Sequence, residues 1–405
     1  MNKYTKWVAA WGNAMSITDH KPETYAKDLT LRYPIYCPFD GDRIRITLDN
    51  YTGTEAVTIT EATILLDNAF TQITFNGGQK SVDICAGKAA VSDEIDISIK
   101  RGDMPDISIY LGDYTQMRSS VVAMGPLSGG RYAVGNMTHV SDIPLEVSRK
   151  TDVYYFLSNV SIHTEEENRA IVCYGDSITA QDWPDYLTLM LEEKGIHNIS
   201  IIRRATSGSR ILREYDNITY ESYGLKGKNR FEHEVPTDGA DTVIIQQGIN
   251  DIIHPVGVEV NPFRPMSDLP TVDEMKEGYS WYLEKAREYG YRIYVGTLLP
   301  IDGWRTYADF RETMKNEFND WLRSLAGEDA GAFQSVQDGE TVDKQVAQNG
   351  AQVSVSLIDF DKAVRDENAP SCFANGYDSG DHLHPSGGGY KRMAEEAFAI
   401  LTGEE

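Results

Sequence analysis

The chain has 405 residues and a strongly acidic composition, with 62 aspartates and glutamates against 38 lysines and arginines and a formal net charge of -24. This length exceeds that of a typical single domain and predicts two or three domains, each able to bury its own hydrophobic core. Nucleic acids and anionic membranes bind basic surfaces, so the charge argues against both as partners and against polyanionic substrates.

We expect no export signal at the start of the chain. Lys3 and Lys6 precede an apolar run from Trp7 to Trp11, which is shorter than a signal-peptide core. No stretch has the length and apolar character of a membrane span. The four cysteines, at positions 37, 85, 173 and 372, lack the spacing of a metal site. Free thiols and a cytoplasmic location are therefore expected, with an export signal already removed as the alternative.

The first part of the chain predicts an all-β domain, which we place at residues 1–165. Between about residues 30 and 160, short segments with alternating apolar residues are separated by turn signals, as in a β-sandwich or jelly roll. The predicted strands run from Arg43 to Leu48, Val57 to Leu66, Phe70 to Phe75, Ile107 to Leu111 and Val153 to Leu157.

From residue 166 onward, the pattern predicts buried strands that alternate with helices. The predicted strands run from Ala170 to Tyr174, Ile199 to Arg203, Thr242 to Gln246, Arg292 to Leu298 and Val353 to Asp359. Strands joined through helices imply right-handed crossovers and a parallel sheet covered on both faces. We therefore expect residues 166–405 to form a three-layer α/β/α domain.

Two helices of this second domain can be located from their apolar stripes. Thr271 and Glu274 predict a capping box at the start of one helix, which ends at Gly290. A second helix is predicted from about Tyr307 to Leu325, and its stripe is typical of a core face. The loop from Ile253 to Leu269 is rich in Pro, Asp and Asn, so we expect it at the surface as a rim of the site.

Four short motifs follow predicted strands of the second domain, where open α/β sheets place their ligands and catalytic residues. They are Gly175-Asp176-Ser177, Gly208, Gly248-Ile249-Asn250-Asp251 and Asp381-His382-Leu383-His384. Each motif alone has a common structural explanation as a cap or a turn. Their occurrence together, in this order and at successive strand ends, favours a catalytic site.

The residue types in these motifs suit acyl transfer through a serine nucleophile. Ser177 needs a base within hydrogen-bond reach and a third group that orients the base. We expect His384 to be the base and Asp381 to orient it, because the Asp-x-x-His spacing places both on one turn. The expected oxyanion donors are the backbone N–H groups of Ser177 and Gly208 and the side-chain amide of Asn250.

This order of motifs resembles the SGNH subgroup of GDSL esterases. The resemblance is carried by residues 170–179, 202–212, 243–251 and 377–385. Residues 41–50, 92–96 and 107–111 are similar to a branch of the family with a β-domain before the hydrolase domain. The resemblance implies a flavodoxin-like hydrolase domain and a serine esterase that needs no cofactor or metal.

Two blocks depart from the family pattern. Family members often carry Asn and Gly where this chain has Arg203, Ala205 and Ser207, so only Gly208 is carried over in the second block. After the nucleophile, the usual Thr-Asp-Gly run is replaced by residues 179–181, Thr-Ala-Gln. This change alters the wall beside Ser177, and we expect it to affect substrate preference.

Aromatic residues near the motifs suggest a carbohydrate substrate. Tyr215, Tyr220 and Tyr223 lie among polar and charged residues between Arg213 and Glu234, and Trp183 and Trp304 follow strand ends. Flat aromatic faces with polar neighbours suit sugar rings. The alternative is that these rings pack within their own domain. Trp183, Tyr215 and Trp304 are the candidate substrate contacts, together with Asp176, which we also expect to support the nucleophile turn.

We therefore expect an esterase that removes short acyl groups, acetyl first among them, from a small-molecule or oligosaccharide ester. A lysophospholipase or thioesterase is the alternative enzyme, because fold and triad serve many esters. A carbohydrate-binding protein with a decayed site is the non-catalytic alternative, and the retained Ser177, Asn250, Asp381 and His384 argue against it.

A metal site at Asp381-His382-Leu383-His384 is a further alternative, since His and Asp side chains bind zinc. Metallophosphoesterases need an early Asp-x-His and further histidines near their Asn-Asp motif. This chain has eight histidines, and none of them forms an early Asp-x-His. The set of available ligands therefore disfavours a metal mechanism.

Overall fold

The computed structural model describes residues 3–18, 25–326 and 354–403, in which an all-β region precedes an α/β region. The strands of the all-β region, in chain order, are β1 (Lys6–Gly12), β2 (Ser16–Ile17), β3 (Tyr25–Ala26), β4 (Leu29–Pro34), β5 (Gly41–Asp49), β6 (Val57–Ile59), β7 (Glu61–Leu66), β8 (Ala69–Ile73), β9 (Val82–Ile84), β10 (Ala89–Val91), β11 (Ile95–Ile99), β12 (Asp106–Leu111), β13 (Thr115–Gln116), β14 (Ser119–Val122), β15 (Gly130–Val134), β16 (Ser148–Thr151), β17 (Val153–Tyr155) and β18 (Leu157–Thr164).

Two antiparallel sheets make up most of this region. One has the order β1-β18-β5-β10, with β11 also paired to β5, and the other has the order β16-β15-β4-β12-β7-β8. Residues from strands of both sheets, including Leu31, Ile46, Ile109 and Val160, belong to one buried hydrophobic cluster. An apolar core between two antiparallel sheets is the arrangement of a β-sandwich, which confirms the predicted class.

Two of the predicted strands are each divided, and the strands β1–β4, β9–β11 and β13–β16 were not predicted. The segment from Val57 to Leu66 changes partners at Thr60, because β6 pairs with β9 whereas β7 pairs with β12 and β8. The segment from Val153 to Leu157 is interrupted at Phe156, where a φ of 62° turns the chain out of the extended conformation. The apolar run near the start of the chain is β1, which pairs with β18.

The α/β region contains one sheet of five parallel strands, β19 (Arg169–Gly175), β20 (Ile199–Ala205), β21 (Ala240–Gln246), β22 (Arg292–Gly296) and β23 (Val355–Ile358). Their order in the sheet is β20-β19-β21-β22-β23. All five predicted strands are found, although residue 353, the predicted start of the last one, lies outside the described residues.

The α-helices of the described α/β region are α1 (Trp183–Glu193), α2 (Gly227–Glu234), α3 (Ile249–Ile253), α4 (Val272–Glu288), α5 (Asp309–Leu325), α6 (Phe360–Val364) and α7 (Gly387–Thr402), with short 3-10 turns at Glu221–Tyr223 and Met266–Asp268. Helices α1, α6 and α7 form one contacting group, and α2 to α5 form a second. The fold is the predicted three-layer α/β/α arrangement. Thr271 and Glu274 form the predicted capping box, with Thr271 N–H donating to Glu274 Oε2 at 2.7 Å.

The edge strand β20 joins the α/β region to the β-sandwich. Arg203 and Arg204 are adjacent in β20, so their side chains point to opposite faces of the sheet. The Arg203 guanidinium donates to the carbonyl of Met124 at 3.0 Å, and that of Arg204 donates to the carbonyl of Ser158 at 2.7 Å. Both acceptors belong to the all-β region, so one strand is tied to it on both faces. The exact boundary between domains, placed near residue 165, remains a prediction.

Two further properties concern the described ranges only. None of the helices there is long and apolar enough to cross a membrane. All four cysteines lie within these ranges and are free thiols. Cys173 is fully buried in β19, as its place in a predicted buried strand indicated.

Candidate active site

The four motifs meet at the carboxyl edge of the parallel sheet. Ser177 follows β19 by two residues, Gly208 follows β20 by three, and Asn250 lies at the start of α3, just after β21. Asp381 and His384 lie in the loop that leads into α7, and α6 separates this loop from β23, so the fourth motif does not directly follow a strand as predicted. Parallel strands direct all their carboxyl ends to one edge, so residues far apart in the sequence converge there.

Ser177, His384 and Asp381 form a continuous hydrogen-bonded chain. The distance from Ser177 Oγ to His384 Nε2 is 2.9 Å, and that from His384 Nδ1 to Asp381 Oδ2 is 2.7 Å. When Nδ1 donates its proton to the carboxylate, Nε2 carries a lone pair that faces the serine hydroxyl. The arrangement therefore suits abstraction of the Ser177 proton by His384.

Asp381 is fixed by bonds to both of its oxygens. While Oδ2 faces the histidine ring, Oδ1 accepts from the backbone N–H groups of His384 at 2.9 Å and Leu383 at 3.0 Å. Partial burial opposes ionisation, but the bonds from the His384 ring and from the two backbone donors outweigh it and lower the pKa of Asp381 to about 2. The carboxylate is therefore charged and held in one orientation at neutral pH.

The expected oxyanion donors lie next to one another. Gly208 has a φ of 80°, and a Cβ atom there would come within 2.4 Å of Cγ and Cδ1 of Tyr223. Only glycine fits this position, because both the backbone angle and the close ring exclude a side chain. The amide of Asn250 donates to the carbonyl of Ser209 at 3.1 Å, which anchors it beside Gly208. Among the described residues, neither Ser177 N–H nor Gly208 N–H has a protein acceptor.

Two buried aspartates support the loops around the nucleophile. Asp176 is 1% exposed and accepts from the N–H of Ile178 at 3.1 Å, within the turn that carries Ser177. Asp251 accepts from the N–H groups of Ile211 at 2.8 Å and Leu212 at 3.1 Å, and so ties the third motif to the second. The bond from Ile178 agrees with the expected supporting role of Asp176, but its burial leaves no surface for a ligand, so the prediction of Asp176 as a substrate contact is wrong.

The pKa values of both aspartates are raised. Burial raises the pKa of Asp176 to about 7 against the opposing bond from Ile178, and the nearby Asp251 carboxylate raises it further. Burial also raises the pKa of Asp251 to about 6, although its two backbone donors and Arg210 act in the opposite direction. Burial therefore favours the neutral form of both carboxyl groups to a higher pH than is usual for an aspartate.

Of the three aromatic residues expected to contact substrate, only Trp304 stands beside the triad. Its ring centroid lies 6.5 Å from that of His384 in an edge-on arrangement, and it is partly exposed. Tyr215 is 8% exposed and covered by the Arg210 guanidinium, 4.2 Å from the ring centroid. Its ring is therefore largely used in packing within the domain.

The prediction for Trp183 is wrong. Its side chain is fully buried, and its ring packs 5.3 Å from that of Phe360 in the hydrophobic core of the α/β region. A ring in that position has no face available to a substrate. The burial results from the contact between the first turn of α1 and α6, which the local sequence does not reveal.

His382 is not the triad histidine, because its ring pairs with Asp378. Its Nδ1 lies 2.5 Å from Asp378 Oδ2, and its backbone N–H donates to Asp378 Oδ1 at 3.0 Å. Its φ is 63°. Within residues 3–18, 25–326 and 354–403, no three His, Cys, Asp or Glu side chains are grouped to hold a metal ion.

Sequence reasoning did not assign His254 to the site, and it considered Tyr223 only as an aromatic residue that could face a sugar, not as a neighbour of Gly208. Tyr223 lies against Gly208, and its ring centroid is 4.9 Å from that of His254. Burial lowers the pKa of His254 well below its usual range, and the nearby Arg264 and Arg210 act in the same direction. The spacing of four residues between Asn250 and His254 was a signal, because such residues share a helix face. Nothing local signals the contact of Tyr223.

Comparison with known families agrees with this geometry. A sequence model described as the GDSL-like Lipase/Acylhydrolase family matches residues 173–392, more than half of the 405 residues. The chain belongs to the GDSL-like lipase/acylhydrolase family. This GDSL-like hydrolase is therefore an enzyme that cleaves carboxylic esters, and the resemblance found in its motifs is confirmed.

The GDSL-like hydrolase is also similar to several solved structures. One is an acetyl xylan esterase from Geobacillus stearothermophilus, which is 17% identical over 57% of this chain and 94% of that chain, with a TM-score of 0.40. Another is a lipase/acylhydrolase from Enterococcus faecalis, which is 17% identical over 58% of this chain and 96% of that chain, with a TM-score of 0.38. A GDSL-like lipase from Bacteroides thetaiotaomicron is 17% identical over 58% of this chain and 88% of that chain, with a TM-score of 0.37. No protein of curated function matches the chain significantly.

Proposed function

We propose that this GDSL-like hydrolase is a serine esterase that removes short acyl groups, acetyl first among them, from carbohydrate through an acyl-enzyme on Ser177. The observation that carries the proposal is the hydrogen-bonded chain from Ser177 through His384 to Asp381 at the carboxyl edge of the sheet. A serine hydroxyl needs such a base and orienting group to act as a nucleophile at neutral pH.

The reaction would proceed in two steps that use the same groups. Ser177 Oγ attacks the ester carbonyl while His384 Nε2 accepts the hydroxyl proton, and the oxyanion is bound by the donors around Gly208 and Asn250. The imidazolium then protonates the departing alcohol as the carbon–oxygen bond to it breaks. In the second step water attacks the acyl carbon and loses a proton to His384. The bond from this carbon to Ser177 Oγ then breaks, His384 returns the proton to Ser177 Oγ, and the carboxylic acid leaves.

Support for a carbohydrate ester comes from the rim of the site. The partly exposed ring of Trp304 stands beside His384, where it can pack against a sugar that carries the ester. The neighbouring Arg305 guanidinium lies 4.5 Å from the centroid of the same ring and adds polar donors. An aromatic face with polar neighbours provides the apolar and hydrogen-bonding contacts that a sugar requires.

One observation favours the alternative of a hydrolase for longer acyl chains. The rim loop after α3 exposes Val258, Val260 and Phe263, with relative exposures of 61%, 72% and 46%. Phe263 contacts Tyr220, whose ring lies beside that of Tyr223. An apolar loop close to the oxyanion donors could hold an acyl chain, as a lysophospholipase or thioesterase requires.

The deciding experiment measures acetate release from acetylated xylo- and manno-oligosaccharides and from 4-nitrophenyl acetate, with Ser177→Ala in parallel. We expect release from both substrates in the wild type and none in the variant. Rates on 4-nitrophenyl esters should fall for chains longer than butyrate, whereas rising rates would support the longer-chain alternative. Equal activity of Ser177→Ala would contradict the acyl-enzyme.

A further inference from the structure

The 3-10 turn at Glu221–Tyr223 connects the β-sandwich to the expected oxyanion donor Gly208. Tyr223, the last residue of this turn, packs directly against Gly208, since a Cβ atom there would lie 2.4 Å from its ring. Glu221, the first residue, pairs with Arg118 of the β-sandwich. The turn therefore touches the catalytic centre at one end and the other domain at its other end.

Arg118 and Glu221 form a two-pronged ion pair. The distances from Arg118 Nη1 and Nη2 to the two carboxylate oxygens are 3.0 and 2.7 Å, and both side chains are less than one-fifth exposed. Two parallel bonds fix the orientation of the carboxylate as well as its position. The third side of the guanidinium is also used, because Arg118 Nε donates to the carbonyl of Thr52 at 3.0 Å.

Gly224, the residue after the turn, lies in close contact with the all-β region and with the segment that leads to Gly208. Gly224 has a φ of 78°, and a Cβ atom there would lie 2.7 Å both from Ser16 Oγ of β2 and from Thr206 Cγ2. Thr206 belongs to the segment that leads from β20 to Gly208. The chain therefore packs closely against both the all-β region and the oxyanion segment where the turn ends.

We propose that Arg118 is a positioning residue for the hydrolase reaction. Arg118 holds Glu221, and this keeps Tyr223 packed against Gly208, so that the N–H of Gly208 points at the oxyanion. This inference rests on the proposed function, because it requires Gly208 to bind the oxyanion. It gives the β-sandwich a direct part in catalysis. Misplacement of a catalytic donor by about 1 Å can cost on the order of 100-fold in rate, so a single interdomain ion pair can control turnover.

The test compares Arg118→Met with Arg45→Met. Arg45 also forms an ion pair between the two domains, with Asp238 at 2.7 Å, but Asp238 precedes β21 and so lies at the opposite, amino edge of the sheet. For 4-nitrophenyl acetate we expect Arg118→Met to lower kcat by about tenfold or more with KM changed less than about twofold, and Arg45→Met to leave both within about twofold. Equal kcat values for the two variants would overturn the proposal.

Two further variants separate positioning from loss of folding. The double variant Arg118→Met/Glu221→Met should lose no more kcat than Arg118→Met, because both changes break one link, and additive losses would contradict that link. If Arg118→Met does not fold, Arg118→Lys keeps a single bond, and we expect a smaller loss of kcat with unchanged KM; full activity would overturn the proposal.

The same assay with Ser177→Ala distinguishes the two proposals. An active Ser177→Ala variant would overturn the proposed function itself. An inactive Ser177→Ala variant, together with equal kcat for Arg118→Met and Arg45→Met, would overturn only the positioning role of Arg118.

Discussion

Replacement of Asp381 by Asn tests the triad most sharply, because the two side chains have nearly the same shape. The carboxylate accepts the His384 ring proton through Oδ2 and two backbone N–H groups through Oδ1. An amide has one oxygen and one NH2 group, so it cannot accept on both sides. The single oxygen of Asn can therefore accept either from the backbone donors or from the imidazole.

We expect the amide oxygen to face the two backbone donors. If the amide oxygen keeps the N–H groups of Leu383 and His384, the NH2 group faces His384 Nδ1 and forces it to accept. The ring proton then moves to Nε2, which faces Ser177 Oγ at 2.9 Å and can no longer take its proton. The opposite orientation would place two amide hydrogens against two backbone N–H groups. From the wrong tautomer we expect a loss of about 10³- to 10⁴-fold in kcat.

Asp378→Asn is the matched control in the same loop. Asp378 pairs with His382 Nδ1 and accepts from backbone N–H groups of that loop, as Asp381 does with His384. Among the described residues, its carboxylate forms no hydrogen bond with Ser177 or His384. Initial rates on 4-nitrophenyl acetate and thermal unfolding should be measured for both variants. We expect Asp378→Asn to retain kcat within a few fold. A folded Asp381→Asn enzyme with kcat within about tenfold of wild type would refute the orienting role.

Three other outcomes are expected. Gly208→Ala should lower kcat by about 100-fold, because the added Cβ atom displaces Tyr223. The control is Gly290→Ala, which has a similar φ of 74° but open space around it and should affect only stability. Similar kinetics for both variants would show that the contact with Tyr223 is unimportant. Asp176 keeps a proton up to about pH 7 in the native state but loses it near pH 4 when unfolded. As the pH rises between these values, this group therefore lowers the free energy of unfolding by about 1.4 kcal/mol per pH unit. Urea unfolding of Asp176→Asn should lack that slope, and identical slopes in variant and wild type would contradict the raised pKa. A chelator such as EDTA should leave ester hydrolysis unchanged, since the proposed steps use only side chains and backbone donors; loss of activity that zinc restores would rule out the serine mechanism.

The parallel sheet and its site were predictable because their signals are local. Strands buried on both faces appear as continuous apolar runs, and each observed boundary lies within two residues of its prediction. The strand topology then brings the carboxyl ends together, so that Ser177 and Asn250 could be assigned to one site from their positions after strands. His384 was assigned from its spacing to Asp381 and from the family motif, because α6 separates it from the last strand.

Features that depend on distant contacts could not be predicted. Trp183 resembles an exposed loop aromatic in the sequence, yet its contact with Phe360 places it in the core. The packing of Tyr223 on Gly208 and the pairing of Glu221 with Arg118 likewise join segments that have no shared local pattern. The first strand, β1, was missed because its apolar run was judged only as a possible export signal.

The attachment of β20 limits how this enzyme can be divided or recombined. Val8 and Ala9 of β1 belong to the same hydrophobic core as the parallel sheet, and Arg204 takes acceptors from the β-sandwich. A fragment starting at residue 166 would expose that apolar surface to water and leave the arginine without those acceptors. Excision of the catalytic half, or its fusion to a different partner module, should therefore yield an aggregation-prone product, and libraries for directed evolution should carry both halves together.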